Sequence, residues 1–262
     1  MKFSFMSFSC PELNALDFFR IAKHYGYDGV EPRIDAGHKH GIELGAAEPF
    51  LRDVKKTAVD NEIKICCIAT SCVFSNPKTL DENVEKARCA IALAGALEAP
   101  GIRVFGGKIP DGLEREKSLD AVVEGLKALA GDAAAQGVTV CFETHDDWCD
   151  PAWVVKALTR VDHPAVAVNW DIMHPVLSSG YTMEDAFQAL KNRIRHVHVH
   201  DGVKTNGTLS FLPIGEGKVD HGTALRALRD IGYTGFISGE WINWEPCETH
   251  LPRELARMKS LL

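Results

Sequence analysis

The sequence predicts an α/β protein in which eight strand–helix units close into one (β/α)8, or TIM, barrel domain spanning residues 1–262. Three observations predict it. Short apolar segments rich in Val, Ile and Phe alternate with longer helical patterns from end to end, as in a parallel sheet covered by helices. A length of 262 residues is close to that of one such barrel. The first turn, Ser9-Cys10-Pro11-Glu12, lacks the glycine-rich phosphate turn expected of an open nucleotide-binding sheet.

The elements follow in chain order. Phe3–Ser9 alternates apolar and polar residues, a strand pattern and not a signal-peptide core. A helix over Glu12–Tyr25 stops at Gly26, a residue suited to the left-handed turn that ends helices. Strand Gly29–Pro32, helix Pro49–Asn61, strand Ile63–Thr70, helix Leu80–Leu97 and strand Ile102–Phe105 come next. The long helix Leu113–Gln136 closes on Gly137, and strand Val138–Glu143 follows. Asp150 caps a helix over Pro151–Arg160, with proline at its first position. Strand Val166–Asp171, helix Met183–Leu190 and strand Ile194–His200 lead to helix Thr223–Ile231, ended by Gly232. Strand Phe236–Glu240 and helix Arg253–Leu261 complete eight of each. No linker-like stretch or charge run divides the chain.

Composition narrows the function. Hydrophobic residues at 45% and charged residues at 25% are those of a globular protein with a sizeable core. A formal net charge of −7 argues against a nucleic-acid partner, which calls for a basic face. No segment approaches the roughly 18 apolar residues of a membrane span, so no membrane partner and a cytoplasmic location are expected. The eight cysteines are scattered and none forms a C-x-x-C pair. They read as reduced core residues, not as a metal or disulfide framework.

Four strands end on a residue able to bind a divalent metal. They are Glu143 in V-C-F-E-T-H, Asp171 in V-N-W-D-I-M-H, His198 in H-V-H-V-H-D and Glu240 in I-S-G-E-W. Parallel neighbours bring all four to the C-terminal edge of the sheet, where barrel enzymes carry their catalytic groups. Three converging carboxylates need a cation or protons to offset their repulsion. Alternation also puts His196, His198 and His200 on one face, so periodicity alone does not choose among them. Asp171 and His174 form an Asp-x-x-His pair that puts a ligand and a substrate-contacting imidazole at one mouth. His145, two residues beyond Glu143, is a candidate to support a ligand or touch substrate. Arg103 ends the fourth strand and is a candidate for binding substrate oxygens. The segment Glu31–Glu43 carries Arg33, His38, Lys39 and His40, which would hold a carboxylate or phosphate if they reach the mouth. Trp148, Trp170, Trp241 and Trp244 lie near the same strand ends and suggest a sugar-stacking wall, with Trp241 next to Glu240.

These segments resemble the sugar phosphate isomerase/epimerase family, the xylose-isomerase-like barrels that include ketose 3-epimerases, inosose dehydratases and hydroxypyruvate isomerases. The resemblance covers essentially the whole chain. It rests on Tyr27–Glu31, Arg103–Gly107, Phe142–His145, Asn169–Pro175, His196–Asp201, Pro213–Gly217 and Gly232–Trp241. It implies one divalent ion, Mn²⁺, Mg²⁺ or Co²⁺ with Zn²⁺ also admitted, held by Glu143, Asp171, His198 and Glu240. The family's H-x-H-x-K-D pattern makes its second histidine the ligand, which selects His198. His200 stands in place of the lysine, and its substrate role is an open expectation. His174 matches a position that contacts substrate oxygens in the epimerases. The implied activity is isomerisation or epimerisation of a small sugar, keto-sugar or polyol by proton transfer through a metal-bound enediolate. Glu143 and Glu240 are the acid–base pair. The alternatives are a lyase dehydrating an inosose or keto-sugar, a DNA-repair endonuclease, which the acidic composition disfavours, and a sugar-binding barrel without catalysis, which both glutamates argue against. A homo-oligomer is compatible with the sequence.

Overall fold

The computed structural model describes residues 1–205 and 207–262. Its main sheet is parallel throughout and has the spatial order β3-β2-β1-β11-β8-β7-β6-β5-β4. The strands are β1 (Lys2–Met6), β2 (Gly29–Glu31), β3 (Lys64–Ile65), β4 (Ile68–Val73), β5 (Gly101–Phe105), β6 (Thr139–Glu143), β7 (Val166–Asp171), β8 (Ile194–Val199) and β11 (Phe236–Gly239). β3 pairs with β2 while β4 pairs with β5, so the two share one stave interrupted at Cys66-Cys67. Past the end of β2 the chain continues the seam: Ala69 donates to Pro32 at 2.9 Å and Ile34 donates to Ala69 at 3.0 Å. These bonds carry the pairing from the β2 side to β4, and the eight expected staves form a nearly closed TIM barrel.

The helices are α1 (Ala15–Tyr25), α2 (Glu48–Asp60), α3 (Leu80–Ala96), α4 (Arg115–Gln136), α5 (Pro151–Val161), α6 (Met173–Ser179), α7 (Met183–Leu190), α8 (His221–Asp230) and α9 (Cys247–Ser260). α1 begins three residues later than expected because the Asn14 side chain accepts the Asp17 amide and sets the cap there. The first strand ends at Met6, and Ser7–Ser9 form a 3₁₀ turn. α8 begins two residues earlier than expected, and α9 begins at Cys247 and runs through Pro252. Gly26, Gly137 and Gly232 take the left-handed conformation after their helices, as their positions predicted. Two pieces lie outside the expected pattern. One is α6; the other is a hairpin of β9 (Asp201–Thr205) and β10 (Thr208–Leu212) that leaves β8 at the barrel mouth. All eight cysteines are unpaired, and only Cys89 is exposed. No helix among the described residues is long and apolar enough to cross a membrane.

Strand alternation divides the core in two. Val140, Phe142, Val168, Trp170, Val197, Val199 and Ile237 are buried residues of one parity, facing the helices. The other parity carries Ser4, Glu31, Arg103, Glu143, Asn169, Asp171, His196, His198 and Ser238, all at most 3% exposed. The barrel interior is therefore polar toward its C-terminal end.

Candidate active site

Register brings the interior residues together. Glu143 pairs with Asn169, Asn169 with His196, Asp171 with His198 and His198 with Ser238. The candidate ligand atoms of Glu143, Asp171, His198 and Glu240 all lie within 4.8 Å of one another, and all four residues are buried. His198 Nδ1 is 2.7 Å from Glu143 Oε1 and 3.3 Å from Glu240 Oε2. Asn169 Nδ2 lies 3.1 Å from the same nitrogen. Asp171 Oδ1 accepts the Met173 and His174 amides at 2.8 and 3.2 Å, which satisfies the first two amides of α6 and turns Oδ2 to the cluster.

Whether a metal fits can be tested on the buried oxygens. Glu143 Oε2, Asp171 Oδ2 and Glu240 Oε2 are buried and accept no well-directed hydrogen bond among the described residues; each faces a nitrogen, Arg103 Nε at 3.3 Å, His200 Nε2 at 2.8 Å and His198 Nδ1 at 3.3 Å. Three converging carboxylates are costly to bury, and a cation that joins their oxygens adds to what those nitrogens supply. Burial pushes the His198 imidazole down, but Glu31, Glu143 and Glu240 outweigh it and drive it well up. The cluster thus attracts positive charge at Nδ1, the position a metal would take from a proton. Three carboxylates and one imidazole suit a hard or borderline divalent ion.

Glu31, at the end of β2, holds the other side of His198. Its carboxylate oxygens lie 3.1 and 3.2 Å from His198 Nε2 and 2.8 Å from His196 Nε2. A proton on Nε2, held by Glu31, leaves Nδ1 as the lone-pair nitrogen, the usual carboxylate–histidine–metal arrangement. Burial pushes the Glu31 carboxyl up, but His196 and His198 outweigh it and keep it well below the usual range. Glu31, Cys66 and His196 are themselves close enough to hold an ion. Glu31 and His196 already satisfy each other there, and burial pushes the Cys66 thiol well up. That group does not fit a second metal.

The H-V-H-V-H-D run thereby divides. His196 serves Glu31, and His198 faces the cluster. His200 is 2% exposed and places Nε2 2.8 Å from Asp171 Oδ2 while Nδ1 donates to the Glu240 carbonyl at 3.0 Å. It is driven up against burial chiefly by Asp171, so its contact is with a candidate ligand and not with the open mouth. Asp201 accepts the amides of Gly202, Gly215, Gly217 and Val219, tying the hairpin to the segment after it. A Cβ at Gly217 would meet Asp201 Oδ1 at 2.1 Å, which accounts for glycine there.

The remaining expected residues fall at three depths. His145 and His174 are partly exposed, with ring centroids 4.3 Å apart and His174 Nε2 3.7 Å from Asp171 Oδ2. Burial lowers His145, but Asp146 at 3.1 Å and then Glu143 lift it to about 9. Arg103 is fully buried; its Nε lies 3.3 Å from Glu143 Oε2 and Nη1 donates to the Thr70 carbonyl at 3.1 Å. Arg33 is half-buried and donates to Ser71 Oγ at 2.7 Å. His38 contacts Ser7 Oγ at 2.8 Å and stacks edge-on against Phe8 at the rim. Lys39 is exposed, whereas His40 is buried in the loop.

Trp241 corrects an expectation. It has opposite parity to Glu240, is 0% exposed, and packs between Gly239 and His250 of α9. Trp148 and Trp170 are equally buried. Of the four tryptophans only Trp244 is partly open, beside Phe211 of the hairpin. Sequence reasoning assigned no part to Glu31 or Asn169. Glu31 carried the same signal as the three acidic candidates, an acid ending an apolar run.

A family model described as Xylose isomerase-like TIM barrel matches residues 19–261. Among curated proteins, 2-oxo-tetronate isomerase of Pectobacterium atrosepticum is 21% identical over 62% of this chain and 63% of its own length. A putative hydroxypyruvate isomerase of Danio rerio is 25% identical over 58% of this chain and 57% of its own. The matches thus span about three fifths of these relatives. The crystal structure of the probable 3-DHS dehydratase AsbF from Bacillus anthracis superposes with a TM-score of 0.81 at 23% identity, covering 100% of this chain and 98% of that one. At that identity the likeness concerns the fold.

Proposed function

The chain belongs to the xylose isomerase-like TIM-barrel family, and from that premise we propose that it is a divalent-metal-dependent isomerase or epimerase of a small sugar, keto-sugar or polyol. One observation carries the reading: three buried carboxylates and a single imidazole bring candidate ligand atoms within 4.8 Å of one another at the barrel mouth. Glu143, Asp171, His198 and Glu240 would hold the ion, Mn²⁺, Mg²⁺ or Co²⁺, which when bound polarises a substrate carbonyl and stabilises enediolate charge.

The chain's own residues supply the rest. Glu143 and Glu240 come from strands on different sides of the cluster and act as base and acid. One removes the proton from the hydroxyl-bearing carbon beside the carbonyl; the other returns a proton. Return to the same carbon from the opposite face inverts it, and return to the neighbouring carbon exchanges aldose and ketose. Arg103, at 3.3 Å, orients Glu143. His174 sits where it can donate to a substrate oxygen. Loss of a β-hydroxyl after the same first step would make the chain a lyase. The adjacent His145 and His174 favour that second reading, since an imidazolium there can protonate a departing hydroxyl. Two relatives named as isomerases support putting proton transfer beside a carbonyl ahead of dehydration.

The test is solvent exchange. With Mn²⁺ in deuterated water, ketoses, inososes and hydroxypyruvate are screened for label beside the carbonyl and for loss of water. Glu143→Gln and Glu240→Gln are each expected to lower exchange by about 10²-fold or more while the barrel stays folded. Full exchange in both variants would overturn the two-glutamate mechanism.

A further inference from the structure

The floor of the barrel, at the end away from the candidate ligands, carries a basic cleft that the chemistry at the mouth does not use. It opens where β8 enters the barrel. Val168 of β7 pairs with Ile194 and the next residue, Asn169, pairs with His196, so Arg195 is the extra residue of a β-bulge. A bulge takes one residue out of the ladder and re-aims its side chain. Ile194 and His196 are accordingly buried, while Arg195 is exposed. The Tyr233 hydroxyl, 3.1 Å from the Arg195 carbonyl, holds the bulge from the turn between α8 and β11.

Arg193 and Arg195 line one cleft of about 490 Å³ together with Asp162, His163 and Asn192. Asn192 and Arg195 also line an adjoining cleft of about 450 Å³, with Lys191, Ile231 and Tyr233. Arg193 reaches the Leu158 carbonyl at 3.3 Å and Thr159 Oγ1 at 3.4 Å, and Arg195 reaches the Ile194 carbonyl at 2.9 Å. Among the described residues all these partners are neutral oxygens, and each guanidinium keeps most of its N–H donors for another group. His163 accepts the Ala165 amide on Nδ1 at 3.2 Å, so its ring proton is on Nε2, a further donor in the first cleft. Three cations thus gather around the two clefts against one lining carboxylate, Asp162, on a chain whose formal net charge is −7.

We propose that these clefts bind a phosphate dianion at Arg193 and Arg195, either free or as the phosphate group of a small monoester. Forked guanidinium donors match phosphate oxygens in geometry and charge. Three cations facing one carboxylate call for a dianion more than for the single charge of a carboxylate. A free phosphate occupies the first cleft alone; a monoester places its organic group in the second, against Ile231 and Tyr233. Occupancy braces the bulge from which β8 runs on to His196 and His198. The proposal is independent of the reaction at the mouth.

Calorimetry on the metal-free protein tests it without the ligand cluster drawing phosphate to a bound ion. Inorganic phosphate and glycerol phosphate are titrated against acetate at equal ionic strength. Both phosphates are expected to bind about tenfold tighter than acetate or better. Arg195→Met should weaken both by about tenfold or more, the loss of one charge-assisted contact, and Arg195→Lys should keep part of the affinity. Arg195 is exposed and bonded only to the carbonyl before it, so its variants are expected to melt with the parent chain. Tighter binding of the ester, with the excess lost in Ile231→Ser, assigns a monoester; equal or weaker binding assigns free phosphate. Acetate binding as well as phosphate, or phosphate affinity unchanged in Arg195→Met, overturns the site.

Discussion

Glu31 shows how much one residue outside the expected ligand set contributes. Its carboxylate binds two imidazoles that β8 presents on the same face, and one of them faces the cluster. Glu31→Leu removes the acceptor that keeps the proton on His198 Nε2, and Nδ1 loses both basicity and orientation. Metal affinity is expected to fall about 10- to 100-fold. Mn²⁺ titration by calorimetry checks this without reference to turnover, and an unchanged affinity would reduce Glu31 to a filler of the barrel core. The four candidate ligands were legible because each stands at the end of an apolar run, where chain order alone assigns a place at the mouth. Glu31 stood in the same grammar, at the end of Gly29-Val30-Glu31, yet its partners lie 165 and 167 residues away. Nothing local in the sequence reports that pairing. Trp241 failed for the opposite reason: nearness to Glu240 in sequence suggested nearness in space, and strand parity turned its ring toward α9 instead.

At the scale of elements, the loop between β2 and α2 is organised around His40. Ile42 donates to His40 Nδ1 at 3.0 Å, and Nε2 faces the Arg33 carbonyl at 3.2 Å, so the ring is held in its neutral tautomer. Phe18 stacks on it at 6.0 Å and His38 meets it edge-on at 5.8 Å. Burial, then His38, pushes the imidazole down to about 4. The sign follows from linkage. The unfolded chain binds this proton below about pH 6.5 while the folded chain resists it to about 4, so stability is full above the unfolded value and falls as pH drops through that window. The loss is on the order of 3 kcal/mol at most for a shift of this size. In urea titrations at pH 7 and 4.5, His40→Gln should narrow the difference between the two pH values relative to the parent chain. An equal difference in both proteins would remove His40 from the account. The same element scale shows where periodicity ran out. Ile63–Thr70 read as one strand because its apolar run is continuous, but the stave breaks at Cys66-Cys67 to serve two neighbours. The β9–β10 hairpin was unread in the sequence. Its half-exposed residues lack the apolar run that marked the staves.

The whole molecule couples the site to the barrel's closure. Glu31 ends β2, Glu143 and Asp171 end β6 and β7, His198 lies in β8, and Glu240 follows β11, so the four acids and the histidine are spread over five staves. Burial pushes the Asp171 and Glu240 carboxyls up; His200 for Asp171 and His198 for Glu240 are the first groups to pull them down, and both end below the usual range. The imidazoles and the Arg103 guanidinium balance the carboxylates that these staves bring together. An ion that binds only when the staves are assembled must stabilise the assembled state by mass action, about 2.7 kcal/mol at a free concentration 100 times its Kd. For a chain of this size that corresponds to a rise of roughly 5–10 °C in the unfolding midpoint. Mn²⁺, Mg²⁺ and Co²⁺ should each be tried in thermal melts against a chelator. Asp171→Asn should abolish the rise, because it removes one ligand charge and weakens the contact with His200 while leaving the β7–β8 ladder intact. A midpoint indifferent to all three ions would mean that the converging carboxylates are not a metal cradle, and the proposed chemistry would lose the observation on which it stands. A midpoint that rises equally in Asp171→Asn would move the binding site elsewhere in the molecule.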